Sequence, residues 1–169
     1  MSKRAVNLLR NAMIPAMAIK VDSQIGPGVK LLEAGANTLT AADSGKTIVF
    51  NVAAATTVTL PAPRLGMHFH FITTVTATGD HEIIAATDDH GFLGGVNIVS
   101  TTAAKAAAFS AADDGNNDYI TMNGGTKGGA AGGHLRIVAL LNASAAKCWG
   151  VGGTLNGVGA TMATPFADS

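Results

Sequence analysis

Apolar and polar residues alternate along the stretch from residue 37 to residue 71, and this pattern predicts short strands separated by turns. The stretch contains a turn at residues 43–46, Asp-Ser-Gly-Lys, in which Asp and Ser bond to nearby backbone and Gly tolerates a positive φ. Residues 47–51 follow and are rich in the β-branched and aromatic residues that favour strands. Residues 56–60 alternate polar and apolar positions, so their apolar side chains share one face. Two prolines then end this strand, because proline has no N–H to donate to a β-ladder.

The third strand of this stretch has the sequence Met-His-Phe-His-Phe. Its apolar residues lie on one face, and His68 and His70 lie on the other. Two imidazoles on one face can bind zinc when a third ligand joins them. His81, His90 or His134 would supply that ligand only if the fold happened to bring it there. The interpretation we favour is that these histidines face outward or lie in an interface, so no metal site is predicted.

The remainder of the chain repeats this organisation. Strand-like segments recur at residues 82–87, 96–101, 118–123, 134–141, 147–151 and 154–161. Turns rich in Gly, Asp and Asn separate them, and the Ala-rich segment 102–112 fits neither strand nor helix clearly. Because no helical segments alternate with the strands, a parallel βαβ sheet is not expected. The predicted fold class is all-β, an antiparallel β-sandwich or barrel of jelly-roll-like type, spanning residues 35–169.

Residues 1–34 differ from the rest of the chain and are predicted to form an N-terminal arm. Within residues 2–14, apolar residues recur at helical spacing and basic and amide residues occupy the opposite side. This pattern predicts a short amphipathic helix that ends near Pro15. Such a helix is marginal alone in water, so it packs either on its own domain or on a partner. If it contacts a partner, the side chains expected to do so are Arg4, Val6, Leu9, Arg10, Met13, Ile14 and Ile19.

The composition limits the classes of partner. The 169 residues have the length of one domain, and the net charge at pH 7 is zero. No overall basic charge therefore attracts nucleic acid or an anionic membrane. Only 13% of the residues are charged, and a surface with so little charge is poorly protected against association. This favours coverage by partners; the alternative is that Thr, Asn and Ser alone keep the protein soluble.

Membrane insertion and secretion are not expected. No apolar run reaches the ~20 residues of a membrane helix. A secretory signal peptide is not expected either, because polar residues and a proline interrupt the first apolar segment.

No motif of catalysis or cofactor binding stands out. The Gly-rich segment 124–129 lacks the spacing of a phosphate loop and is predicted to be a flexible surface loop. The Asp pairs at 88–89 and 113–114 are interpreted as turn residues, because an EF-hand spacing is absent. The serines lack a nucleophile-elbow pattern, and the single Cys148 is predicted to be a small buried apolar residue. We therefore expect neither an enzyme nor a cofactor.

Three segments resemble structural proteins from the virions of tailed bacteriophages. The first is Leu-Thr-Ala-Ala-Asp-Ser-Gly-Lys at residues 39–46, with the strand that follows it. The second is Thr-Leu-Pro at residues 59–61, followed by Gly-Met-His-Phe-His-Phe at residues 66–71. The third is residues 140–151, where a turn leads into Lys-Cys-Trp-Gly-Val like a closing hairpin. In that family such a series introduces a small β domain, in head decoration (cement) proteins and also in tail or fibre proteins.

The resemblance implies a function. Because the chain has no repetitive fibre shaft, it looks most like a capsid decoration protein, which binds the outer surface of the assembled head and stabilises it against internal pressure. It would be made in the host cytoplasm and act in the virion as a homotrimer. Its partners would be the major capsid protein and itself, without direct contact with nucleic acid or membrane.

Two alternatives remain open. One is a tail- or fibre-associated module that binds a host surface glycan through loops 88–95 and 113–133, which are poor in the aromatic residues on which sugars stack. The other is a small virion hydrolase, although no nucleophile with an evident base is present.

Overall fold

Strands dominate the computed structural model, which describes residues 28–112, 117–141 and 147–168. The strands are β1 (Val29–Leu31), β2 (Gly35–Thr38), β3 (Thr47–Phe50), β4 (Thr56–Thr59), β5 (His68–Thr73), β6 (His81–Ile84), β7 (Phe92–Ser100), β8 (Ala106–Ser110), β9 (Tyr119–Met122), β10 (Ala130–Ala139), β11 (Trp149–Gly157) and β12 (Phe166–Ala167). One turn of 3₁₀ helix, Ala41–Asp43, precedes β3.

The strands form two sheets around one core. Sheet A has seven strands in the order β1-β3-β5-β10-β11-β7-β8, and sheet B has five in the order β12-β9-β6-β4-β2. A single apolar cluster draws side chains from both, among them Phe69 and Trp149 of sheet A and Ile83 and Ile120 of sheet B. Each large side chain buried in this way contributes on the order of 1.5–3 kcal/mol. The prediction of an all-β, sandwich-like fold is confirmed.

Both sheets are mixed rather than wholly antiparallel, which corrects the finer part of that prediction. β1, β3 and β5 are parallel neighbours, as are β2, β4 and β6, and β7 is parallel to β11. The remaining pairs are antiparallel. The first six strands alternate between the two sheets. Each strand of one sheet therefore lies in the connection between two parallel neighbours of the other sheet. A parallel pair needs a crossover of some kind, and here that crossover contains no helix.

The β domain begins before residue 35. β1 lies within the segment assigned to the arm, yet it pairs with β3, and Leu32 is 1% exposed in the core. Residues 28–34 therefore belong to the sandwich. The positions proposed for partner contact lie outside the described residues: Arg4, Val6, Leu9, Arg10, Met13, Ile14 and Ile19. Their role stays a prediction.

The buried carboxylate of Asp43 joins the 3₁₀ turn to two strands. Its Oδ2 accepts hydrogen bonds from the backbone N–H of Thr40 at 2.9 Å and from the hydroxyl of Thr40 at 3.0 Å. Lys30 of β1 contacts the same oxygen at 3.2 Å, and Lys46 contacts Oδ1 at 2.8 Å. Burial alone would raise the pKa of this carboxyl, but the hydrogen bonds from Lys46, Thr40 and Lys30 outweigh it and hold the pKa well below its usual range.

The residues after Asp43 fix the position of β5. The Oγ of Ser44 accepts a hydrogen bond from the backbone N–H of His68 at 3.1 Å, and the N–H of Gly45 donates to the carbonyl of His68 at 2.8 Å. Gly45 has a φ of +87°, a conformation that side chains with a Cβ rarely adopt. The turn at residues 43–46 therefore holds β1, β3 and β5 together.

Replacement of Asp43 by Asn should destabilise the fold. We expect Asp43→Asn to lower the free energy of unfolding by about 1–3 kcal/mol near neutral pH, because two lysine contacts lose their charged acceptor. A carboxyl whose pKa is lowered in the folded state stabilises it fully above its unfolded pKa, near 4, and progressively less as the pH falls. Urea unfolding at a series of pH values should show the difference from wild type shrinking below about pH 4.

The matched control is Asp89→Asn, which removes an exposed carboxylate from the loop between β6 and β7. It should change the free energy of unfolding by less than about 0.5 kcal/mol. Equal effects of the two substitutions would contradict the role given to Asp43.

The imidazole of His81 is buried on the face of sheet B that meets the core. Its ring stacks on Phe50 with centroids 4.6 Å apart, and Nε2 lies 3.0 Å from the carbonyl oxygen of Val52. A carbonyl oxygen can only accept, so Nε2 carries a proton and donates it in this hydrogen bond. Burial lowers the pKa of His81, against smaller opposing effects of the carbonyls of Val52 and Ala54 and the charge of Asp80.

This burial predicts an acid-sensitive fold. Because the pKa of His81 is lowered in the folded state, the unfolded chain binds the proton more readily, and stability should fall as the pH drops below about 6.5. His81→Phe keeps a ring against Phe50 but cannot be protonated. Chemical unfolding between pH 5 and 8 should therefore show a shallower pH dependence for this variant, whereas His134→Gln, at an exposed ring, should keep the wild-type slope. Identical slopes for His81→Phe and wild type would refute this.

Candidate functional site

The outer face of sheet A carries the most distinctive surface of the described residues. The alternation predicted for β5 is confirmed: Phe69 and Phe71 are buried, and His68 and His70 are exposed. The antiparallel neighbour β10 places Arg136 opposite His70 and Val138 opposite His68. The outward side chains of β5 and β10 therefore form a mixed imidazole, guanidinium and apolar strip in the middle of the sheet.

The next strand, β11, has no side chains on the outer face over half its length. Gly150 and Gly152 are the outward positions of β11 there, and Gly152 lies opposite Gly95 of β7. Two adjoining depressions result, with volumes of about 510 Å³ and about 540 Å³, and both are lined by Arg136 and Gly152. We call the two together the glycine trough.

The two halves of the glycine trough differ in chemistry. One half, the apolar half, is walled by Leu93, Val138 and Leu140; Leu93 and Leu140 are 44% and 42% exposed. The other half is called the imidazole half. Its polar side chains can all donate hydrogen bonds: Thr47, His68, His70, His134 and Arg136. The trough thus offers an apolar pocket beside a polar one.

The histidines of the imidazole half contact each other and the backbone. The rings of His70 and His134 meet edge to face with centroids 6.2 Å apart, and Nδ1 of His68 lies 3.1 Å from the carbonyl oxygen of Gly66. Within the described residues, no three His, Cys, Asp or Glu side chains are grouped so as to hold a metal ion. The fold brings His134 to the predicted pair on β5, while His81 and His90 are buried elsewhere.

Two other candidates from the sequence prove to be structural. Cys148 is fully buried, as predicted. The Gly-rich segment 124–129 is a packed turn rather than a flexible surface loop. The side-chain oxygen of Asn123 accepts hydrogen bonds from the N–H groups of Gly125 and Lys127, each at 3.0 Å, and a Cβ at Gly124 would overlap the carbonyl oxygen of Ala77.

The glycine trough itself was not recognised from the sequence. Its signal is the spacing of Gly150 and Gly152, which fall on one face of a strand. Glycine in a strand often marks a place where another backbone or a ligand approaches closely. A Cβ built on Gly152 meets only the carbonyl oxygen of Gly95, at 4.0 Å, so packing within this molecule does not require glycine there.

Comparisons with known proteins assign no family. No protein-family model matches the chain, and no curated protein is significantly similar to it in sequence. In the described part of the chain, no helix has the length and apolar character needed to cross a membrane.

Neighbouring glycines of β11 should respond differently to substitution. Gly153 has a φ of +152°, and a Cβ there would overlap the carbonyl oxygen of His134. We expect Gly153→Ala to lower the free energy of unfolding by about 1–3 kcal/mol. Gly152→Ala should be neutral or slightly stabilising, because the site is open and alanine restricts the unfolded chain. Denaturant unfolding of the two variants tests this, and equal destabilisation would show that Gly152 is also needed for packing.

Proposed function

We propose that this protein is a capsid decoration protein of a tailed bacteriophage that binds the outer surface of the assembled head as a homotrimer. The observation that carries the proposal is the outer face of sheet A. On this face an exposed apolar pocket adjoins a pocket that contains Arg136, and both include backbone of the glycines of β11. Such a surface is suited to contact with another protein. The resemblance of residues 37–72 and 135–153 to phage virion proteins supplies the setting.

The low charge of the chain supports the proposal that partners cover much of its surface. Only 13% of its residues are charged, and the two ion pairs among the described residues both use the buried Asp43. Exposed leucines and valines of sheet A add to this surface: Val29 and Leu31 at its β1 edge are 66% and 60% exposed. Burying them against a neighbour would remove apolar area from water.

The mechanism is linked binding. A trimer that joins several capsid subunits gains avidity over a single site by roughly 10² to 10⁴ without any new contact. A protein that binds only the intact shell shifts the equilibrium between intact and burst shells towards the intact one by mass action. Residues 2–21 would add contacts to the shell or to a neighbouring copy, through the apolar and basic side chains identified above.

Binding to purified shells tests the proposal. Heated shells should release their DNA at a higher temperature with the protein than without it. Gly152→Val should weaken binding, because its side chain fills the glycine trough at a position where the fold has space. Deletion of residues 2–21 should weaken it as well, because contacts of the arm are lost. Co-sedimentation with shells measures both effects.

Thr121→Val is the matched control for the trough variant, since it makes an outward substitution on β9 of sheet B. It should bind shells as the wild type does. Undiminished binding by both test variants would contradict the proposed contacts, and failure of the wild type to bind shells would contradict the function.

The glycan-binding alternative receives less support. Protein sites for sugars commonly offer an aromatic face, and within the described residues every aromatic side chain is buried or half-buried. Binding of the wild type to host glycans but not to shells would favour this alternative.

A further inference from the structure

The charge on the outer face of sheet A has one sign. The seven strands of this sheet contain no Asp or Glu, whereas they carry Arg136, Lys30 and three exposed histidines. Lys30 is engaged by Asp43. Within the described residues, Arg136 has no ion-pair partner. Among the described residues, the guanidinium at the centre of the sheet is therefore exposed and has no counter-charge paired with it.

The neighbours of Arg136 are placed to share an anion with it. His70 lies directly opposite on β5, a position that puts Cβ atoms about 4.5–5.5 Å apart. His134 is two residues before Arg136 on the same face of β10, and its ring contacts that of His70. Guanidinium binds both oxygens of a carboxylate through two parallel N–H donors, and imidazole adds a further donor.

The backbone around these groups is open. Gly152 lies next to Arg136 across the β10–β11 pair, and Gly45 and Gly153 also line this half of the trough. No side chain of β11 at position 152 blocks the approach of a group from outside. The apolar half, with Leu93, Val138 and Leu140, begins on the other side of Arg136.

We propose that Arg136, His70 and His134 bind a carboxylate side chain of a partner protein, and that the adjoining pocket of Leu93, Val138 and Leu140 takes a neighbouring apolar side chain of that partner. The argument for this occupant is charge complementarity combined with the apolar pocket alongside. A free inorganic anion would use only the first half of the trough. The inference rests on the proposed function for the identity of the partner, an acidic and apolar patch of the shell, but carboxylate binding itself needs no shell.

The test uses the full-length protein and two soluble probes. Poly-L-glutamate should shift the NMR ring signals of His70 and His134, and a Glu–Leu copolymer of equal charge should bind more tightly because it also fills the apolar half. Arg136→Gln should weaken binding of both by about tenfold or more, the loss expected when a charge-assisted hydrogen bond is removed. The affinity of Arg136→Lys for the probes should lie between those of the wild type and Arg136→Gln, because lysine keeps the charge and loses the paired donors.

Lys105→Gln is the matched control, since it removes an exposed positive charge just before β8. It should bind both probes as the wild type does. An equal loss in Lys105→Gln and Arg136→Gln would reduce the binding to general charge attraction and overturn the site. Displacement of the copolymer by inorganic phosphate at equal concentration would overturn the assignment to a protein carboxylate.

These outcomes separate the two proposals. If the copolymer binds as expected and shells are not bound, the carboxylate site stands and the decoration function fails. If shells are bound but neither probe shifts the histidine signals, the carboxylate site fails and the decoration function stands. Thermal unfolding of each variant shows whether the change has altered the fold.

Discussion

The first half of the sandwich depends on the contacts of the Asp43 carboxylate with Lys30 and Lys46. Because β1 to β6 alternate between the two sheets, neighbouring strands are connected only through the opposite layer, and no tight hairpin fixes their register. Asp43 supplies that link locally, since it binds Lys30 of β1 and Lys46 next to β3 from the turn between the layers. A nearly buried carboxylate is stable there because four donors compensate for its lost hydration.

The glycines of β11 impose a second constraint, and it acts on the surface. Gly153 is required by the backbone, whereas Gly152 faces open space and has no such requirement. The same strand therefore combines a glycine that the fold needs with one that packing within this molecule does not require. This difference turns the bare stretch of sheet A into a candidate binding surface rather than a by-product of strand geometry.

Local patterns in the sequence were enough to predict the fold class, the inward phenylalanines of β5 and the buried Cys148. They could not predict parallel pairing, because a strand's residues do not record which sheet the next strand joins. The Ala-rich strand β8 was not predicted, because its sequence of Ala and Phe shows almost no difference in polarity between its two faces. In the sequence, Arg136 was visible only as a member of a strand-like segment, and His134 only as one of three histidines that could join the pair on β5. Their meeting with His70 depends on the β5–β10 register.

The motif that carries the resemblance to phage proteins has a structural role, yet it also determines the candidate site. Ser44 and Gly45 bind the backbone of His68 and so fix where β5 begins. A shift of β5 by one residue would exchange its two faces, turning the histidines inward and the phenylalanines outward. The turn at residues 43–46 thus places His68 and His70 on the outer face with the same contacts that place Phe69 and Phe71 in the core. A chain that kept this motif while changing Arg136 and Gly152 would keep the contacts that position β5 and would lose the trough. The motif therefore bears on the architecture, and the outer face of sheet A bears on the proposed contact.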